Sequence, residues 1–191
     1  WTQYFTGPVT AYKAGVIDGN LTVQNSTILK LTGRATKTVG QDVVTGKCQY
    51  NEHSNPDGTP NINAGKPCYV LRVTGDLLVK NDAQITIDCP APCTTPSAHI
   101  LVDGKITIDN NAQIYGVAND SSSGMFVTSY SKEVKTPYAI SLNNNTSGSV
   151  YYAMRGGISV QNNMQAKALA APFILIQNNA TVTFNSGLVN P

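Results

Sequence analysis

The chain alternates apolar and polar residues in short runs, and one phrase recurs six times. Each copy places alternating apolar residues before an Asn-containing turn. The copies are NLTVQNST (20–27), DLLVKNDA (76–83), KITIDNNA (105–112), AISLNNNT (139–146), GISVQNNM (157–164) and FILIQNNA (173–180). An internal repeat of this kind indicates stacked equivalent units, as in a solenoid.

The alternation has the period of a β-strand. Runs of four to eight residues with a period of two, interrupted by Gly and Asn and rich in Val, Ile and Thr, predict short strands. Alternation resumes after several of the turns, as in AQITID, AQIYG and ATVTF. The segment from Gln165 to Ala171 is Ala-rich, but it lies inside a repeat and is predicted as strand.

The spacing of the aligned Asn residues predicts the size of one unit. Asn144 and Asn162 are 18 residues apart, and Asn162 and Asn178 are 16 apart. Three short strands and three turns need about this length, which is one coil of a parallel β-helix. The earlier spacings are 56, 29 and 34 residues. The residues beyond the length of one coil form either loops inserted at turns or further coils that match the repeat poorly.

Three segments are the candidate insertions, because they are rich in Gly, Pro, Ser, Asn or Thr. They are Gly33 to Cys68, Cys89 to Ala98, and Gly116 to Pro137.

We therefore predict one all-β domain over residues 1–191, a single-stranded right-handed parallel β-helix. The handedness follows from the general rule for parallel crossovers. One ladder of stacked core residues is predicted at Val23, Val79, Ile108, Leu142, Val160 and Ile176.

The repeated Asn has a structural explanation. Asn tolerates the left-handed backbone region, bonds its own backbone across turns, and forms ladders of stacked amides. A small residue after the turn, such as Ala83, Ala112 or Ala180, lets the chain bend inward. The functional alternative is an Asn-lined surface for sugar or ice. The structural turn residues are predicted to be Asn25, Asn81, Asn110, Asn144, Asn162 and Asn178.

Composition narrows the classes of partner. Charged residues make up 13% of the chain, and the net charge is +2 with no basic run. This argues against nucleic acid as a partner, because neutralising phosphates requires clustered Lys and Arg. No apolar stretch approaches the roughly 20 residues needed to cross a bilayer. Because the chain begins at Trp1 without a signal peptide, we expect a processed or trimmed fragment from which an N-terminal anchor or targeting segment could have been removed.

The four cysteines favour two local disulfides. Cys48 and Cys68 bracket one excursion, and Cys89 and Cys93 lie in the tight CPAPC loop. This pairing implies an oxidising compartment, and hence an extracellular or cell-surface location. The rival is a zinc site that uses all four thiolates. Such sites normally use two close Cys pairs, and the separation of Cys48 from Cys68 is too wide for that spacing.

The C-terminal half resembles the β-helix domains of bacterial PilX-like, type IV pilus-associated or cell-surface proteins. The resemblance covers roughly Leu71 to Leu188 and rests on a Tyr-Ala before a Gly-rich turn, an Asn-Asn pair and a final Asn-Asn-Ala strand. These are Tyr152, Ala153, Gly156, Gly157, Asn162, Asn163, Asn178, Asn179 and Ala180. It implies a bacterial, secreted structural or adhesive role with pilus or cell-surface subunits as partners. It supplies no catalytic residues.

Candidate chemistry is sparse. His53 lies in the loop NEHSNPDG, and His99 stands at the start of a strand; neither forms a recognisable triad. Asp76 and Asp103 flank Gly turns, and Asp82 and Asp109 flank the Asn bend. If stacked on one edge, these carboxylates would suit Ca²⁺, although Asp is also a common turn residue. No resident cofactor or metal site is therefore predicted, with Ca²⁺ as the open alternative.

Two function classes follow from these observations. We favour a non-enzymatic extracellular surface or pilus-associated protein that binds surfaces, glycans or neighbouring subunits. Tyr130 and Tyr138, on or beside the longest C-terminal insertion, are the candidate ligand-binding aromatics. The alternative is a carbohydrate-active enzyme of polysaccharide-lyase type, in which Arg155 or Lys105 would serve as the base. No acid/base pair is recognisable, so no catalytic residue is assigned.

Overall fold

The computed structural model describes residues 2–5, 9–13, 15–32, 40–42, 47–49, 69–88, 97–117 and 124–182, and these ranges contain strands and turns without a helix. None of these residues forms an apolar helix of the length that a membrane span requires. The strands, in chain order, are β1 (Thr2–Phe5), β2 (Val9–Lys13), β3 (Val16–Ile17), β4 (Asn20–Val23), β5 (Ile28–Thr32), β6 (Gly40–Asp42), β7 (Lys47–Gln49), β8 (Val70–Val73), β9 (Leu77–Lys80), β10 (Gln84–Asp88), β11 (Ser97–Val102), β12 (Ile106–Asp109), β13 (Gln113–Ile114), β14 (Gly124–Ser129), β15 (Ile140–Leu142), β16 (Ser147–Gly148), β17 (Val150–Ala153), β18 (Gly157–Val160), β19 (Gln165–Ala166), β20 (Ala168–Ala170), β21 (Phe173–Ile176) and β22 (Thr181–Val182).

Three parallel sheets form the walls of a β-helix. Sheet A has the order β1-β4-β9-β12-β15-β18-β21, sheet B has β2-β5-β10-β13-β16-β19-β22, and sheet C has β20-β17-β14-β11-β8-β3. The chain therefore passes from sheet A to B to C and repeats this circuit, which is the predicted all-β parallel β-helix. Strands β6 and β7 pair antiparallel, apart from the three sheets. The right-handedness of the coil stays a prediction from the crossover rule.

The register of sheet A confirms the predicted core ladder. Val23 pairs with Val79, Val79 with Ile108, and the series continues through Leu142 and Val160 to Ile176. All of these side chains are buried except that of Ile176, in the last described coil. Each buried aliphatic side chain contributes about 1.5–3 kcal/mol. The stack of these ladders from coil to coil is the core of the protein.

Two predicted insertions were drawn too long. Residues 124–129, placed in the 116–137 insertion, form β14 of sheet C, and residues 97–98 of the 89–98 insertion begin β11. The segment 124–129 was missed because GMFVTS is not followed by the Gly turn that links β3, β8, β11 and β17 of sheet C to the next strand of sheet A. The 33–68 insertion lies outside the described residues apart from β6 and β7. The segment from Gln165 to Ala171 forms β19 and β20, as predicted.

One core position buries a polar group, the hydroxyl of Tyr151. The ring of Tyr151 is fully buried inside sheet C, and within the described residues its hydroxyl makes no well-formed hydrogen bond, although the backbone of Ser149 is close enough to partly offset the effect of burial on the pKa of the phenol. Burial raises the pKa of the Tyr151 phenol above its ordinary value of 10.0. An unsatisfied buried hydroxyl costs about 1–3 kcal/mol. The buried ring therefore stabilises the fold by packing, while the hydroxyl loses the hydrogen bond that it makes to water in the unfolded state.

We expect Tyr151→Phe to raise the free energy of unfolding by about 1 kcal/mol at neutral pH, because the phenyl ring keeps the packing and removes the unpaired hydroxyl. The raised pKa means that the folded state holds the phenolic proton more tightly than the unfolded state. The Tyr151 phenol therefore makes its full contribution to the free energy of unfolding below about pH 10, and this contribution is lost as the pH rises further. Urea unfolding at about pH 7 and about pH 11 checks this: the advantage of the variant should grow at the higher pH.

Candidate binding surfaces

The corner between sheets A and B is built from a ladder of Asn side chains. At the first of its two positions the amide nitrogen of each Asn donates to the amide oxygen of the Asn one coil earlier. The donor–acceptor distances are 3.3 Å (Asn81 to Asn25), 3.0 Å (Asn110 to Asn81), 3.3 Å (Asn144 to Asn110), 2.8 Å (Asn162 to Asn144) and 3.1 Å (Asn178 to Asn162). The six predicted residues therefore lie in one column.

The backbone explains why Asn occupies this column. Each ladder Asn and the residue after it have positive φ, for example 59° at Asn162 and 62° at Asn163. Two consecutive left-handed residues are costly for most side chains, and Asn tolerates them best after Gly. The next residue turns inward: Ala83, Ala112 and Met164 are buried. Because the amides bond one another, the column supports the structural interpretation of the repeat.

A second polar chain follows the corner between sheets C and A. The Asn20 side chain accepts from the backbone N–H of Asp76 (2.7 Å), and the Asp76 carboxylate accepts from the N–H of Lys105 (2.7 Å). The preceding glycines stack closely, and a Cβ at Gly104 would lie 2.7 Å from the carbonyl oxygen of Gly75. Only glycine fits there, because a real Cβ does not approach a carbonyl oxygen so closely.

The Asp residues proposed for Ca²⁺ are not gathered on one edge. Asp76 lies at the C–A corner, and Asp103 forms an ion pair with Arg72 at 2.9 Å. Asp82 and Asp109 lie at the A–B corner and accept from amides of Asn111 and Asn144. In the described ranges no three residues of His, Cys, Asp or Glu come together as a possible metal site. The stacking of these Asp residues therefore serves the turns.

An open groove of about 370 Å³ crosses the outer face of sheet A. Its floor contains Thr22, Leu78 and Thr107 at equivalent positions of β4, β9 and β12. The ring of Tyr4, in register with Thr22, is 60% exposed. Further lining comes from Thr2, Asn20, Leu21, Asp76, Leu77, Lys105 and Pro137. The charges of Asp76 and Lys105 balance, so the groove offers hydroxyls, one carboxylate, one ammonium and an aromatic face without net charge.

The outer face of sheet C carries aromatic and apolar side chains. The rings of His99 and Phe126 stack with centroids 5.1 Å apart. Burial lowers the pKa of the His99 imidazole, so the ring is neutral at neutral pH. Val70 and Leu101 are buried on this face and pack with Tyr130. Much of this face is therefore occupied by contacts within the chain.

The structure separates the two tyrosines predicted to bind a ligand. Tyr130 packs against sheet C, whereas Tyr138 stacks on Phe173 of sheet A with ring centroids 6.1 Å apart. They do not form one site. Lys105 lines the groove on sheet A, while Arg155 is exposed in the turn after β17 and does not line the groove.

The predicted disulfides and the His53 loop are not described by the structure. His53, Cys68, Cys89 and Cys93 lie outside the described residues, and for Cys48 only its place in β7 is described. Both disulfides and the zinc alternative therefore stay predictions.

Sequence reasoning missed most of the groove. Tyr4, Thr22, Leu78 and Thr107 are outward positions of ordinary strands, and their period of two identifies them only as facing away from the core. Tyr4 also lies in the first coil, before the first copy of the repeat. Comparisons with models of protein families, with curated proteins and with solved structures found no match.

Proposed function

We propose that this chain is a non-enzymatic extracellular protein, a cell-surface or type IV pilus-associated subunit of adhesive function, that binds neutral glycans in the groove on sheet A. The observation that carries the proposal is the groove itself, which is lined by the exposed Tyr4, by Leu78 and by three threonines. Sugar rings present apolar C–H faces that stack on aromatic rings, and their hydroxyls need nearby hydrogen-bonding groups.

The size and charge of the groove favour a short stretch of neutral oligosaccharide. A volume of about 370 Å³ lies near the lower end of the range for small-ligand sites. Because Asp76 and Lys105 compensate each other, an acidic polymer gains no net attraction there. Because the groove is open to solvent, a bound chain can continue beyond it.

The resemblance to pilus-associated β-helix proteins and the predicted disulfides support the extracellular location. A rigid solenoid also suits an adhesive role, because its coils hold a binding surface without needing a large core. Its natural partners are then pilus or cell-surface subunits and the glycans of the surface to which the cell attaches.

The test is a screen of the full chain on an array of neutral and acidic oligosaccharides, followed by calorimetry with the best neutral glycan. Tyr4→Ala is expected to weaken binding at least tenfold, because it removes the aromatic face and leaves the coil intact. Tyr152→Ala is the matched control: Tyr152 is 41% exposed on sheet C, outside the groove, and its removal should leave affinity unchanged.

An equal loss of glycan affinity in Tyr4→Ala and Tyr152→Ala would contradict the groove as the binding site. Binding confined to acidic glycans would contradict it as well. The same glycans are incubated with the protein, with and without Ca²⁺, and assayed for unsaturated sugar products. Turnover would establish the enzymatic alternative in place of the adhesive role. Binding without turnover supports the proposal.

A further inference from the structure

The last described coil carries core residues that nothing in the described chain covers. Ile174 is 39% exposed, Ile176 52% and Val182 38%. Their register partners one coil earlier are all buried: Ile158, Val160 and Ala166. Three large apolar side chains of the core ladders are thus exposed on the last described coil, whose outward side we call the C-terminal face (residues 173–182).

The outward edge of this face also has backbone groups without a partner among the described residues. Asn163 donates its N–H to the carbonyl of Asn178 (3.1 Å), but within the described residues the equivalent N–H of Asn179 has no acceptor. Strand β21 pairs with β18 on one side and, in the described part of the chain, with no strand on the other. Unpaired strand edges are a template for another strand.

The opposite end of the solenoid is composed differently. In the first coil Gln3 is in register with the buried Leu21, so a polar residue stands where later coils have Leu or Ile. The sequence between β1 and β2 is Thr6-Gly7-Pro8, without the Asn of the repeat. The first coil therefore does not present a matching continuation for the C-terminal face of another copy.

Charge distribution sets the C-terminal face apart from the rest of the chain. The chain has 13 basic and 11 acidic residues, and none of them follows Lys167. Natural edge strands are normally protected by charged residues, and β21 has none. A contact between two identical faces brings like groups together at its two-fold axis, so an uncharged face avoids repulsion. Depletion of charge is also typical of the centre of protein interfaces.

We propose that the C-terminal face docks on the same face of a second copy of this chain, with β21 of the two copies antiparallel across a two-fold axis. The exposed Ile174 and Ile176 side chains of the two copies then pack against each other, and the edges of β21 that pair with no described strand exchange backbone hydrogen bonds. The resulting dimer is closed, because both copies use the same surface. This inference does not depend on glycan binding, since the groove begins at the other end of sheet A.

Light scattering coupled to size-exclusion chromatography tests the proposal on the full chain, over roughly 1 to 100 µM, the range in which weak dimers dissociate. The wild type is expected to be a dimer at the upper end. Ile176→Asp should weaken dimerisation at least hundredfold. Val16→Asp is the matched control, because Val16 is 51% exposed on β3 at the other end of the solenoid, and this variant should remain dimeric.

Hydrogen exchange of the wild type supplies a readout that needs no substitution. The amides of residues 173–182 should exchange more slowly at high than at low protein concentration, and those of β3 should not change. A wild type that stays monomeric would overturn the proposal, as would a dimer that persists in Ile176→Asp. Growth into longer assemblies with concentration would also overturn it, because it would show an open head-to-tail contact.

Discussion

Ile108→Asp is expected to leave the protein unfolded at room temperature. Ile108 is fully buried in β12, between Val79 and Leu142 of the neighbouring coils. The substitution removes about 1.5–3 kcal/mol of apolar burial and places a carboxylate in a dry core, which costs several kcal/mol more. The sum is comparable to the whole stability of a typical domain, about 5–15 kcal/mol. Far-ultraviolet circular dichroism and urea unfolding measure the loss.

Thr107→Asp is the matched control for this prediction. Thr107 precedes Ile108 on the same strand and faces the groove, so the same carboxylate there remains in water. Its free energy of unfolding should change by less than about 1 kcal/mol. Similar stability of the two variants would show that the side chains of β12 do not alternate between core and surface, and would contradict the core ladder itself.

The second large effect is expected at the Asn ladder. Asn162→Ala should lower the free energy of unfolding by about 2–3 kcal/mol, because it loses two ladder hydrogen bonds and places Ala at positive φ. The side chain of Asn162 donates to Asn144 at 2.8 Å and accepts from Asn178 at 3.1 Å, and its φ is 59°. Chemical denaturation of the two proteins gives the difference directly.

Asn162→Gly separates the two causes. Glycine adopts positive φ without strain but cannot bond along the ladder, so it should cost only the hydrogen-bond part, about 1–2 kcal/mol. If Gly and Ala are equally destabilising, backbone strain contributes nothing at this turn. If the Asn162→Gly variant is as stable as the wild type, the amide ladder contributes nothing to stability. The positive φ of the turn alone then explains the repeated Asn.

The two proposed surfaces lie on different parts of the solenoid. The groove crosses sheet A from the first coil to the segment around Pro137, whereas the C-terminal face is the end of the last described coil. The proposed dimer through that face would therefore leave both grooves open and present two of the proposed glycan sites. Two linked sites bind a multivalent surface more tightly than one, provided that both reach it at once.

The repeated phrase by itself determined the coil. Six Asn residues at matching positions and apolar alternation before each of them were sufficient to predict the Asn turns and the ladder from Val23 to Ile176, because turn chemistry and a period of two are local properties of the chain. The ladder also requires a defined strand register. That register is specified because each strand buries one of its two faces.

The tertiary structure alone decided which outward residues form the candidate surfaces. GMFVTS at 124–129 became a sheet C strand because it pairs with β11 and β17, although the Gly turn that follows β3, β8, β11 and β17 is absent after it. The groove unites Tyr4, Leu78 and Pro137, which are distant in sequence and belong to no shared motif. Tyr130 and Tyr138 are close in sequence, yet they face different sheets. Local patterns specify strands and turns, but which outward side chains become neighbours depends on how the coils stack and on where the non-repeating segments lie across them.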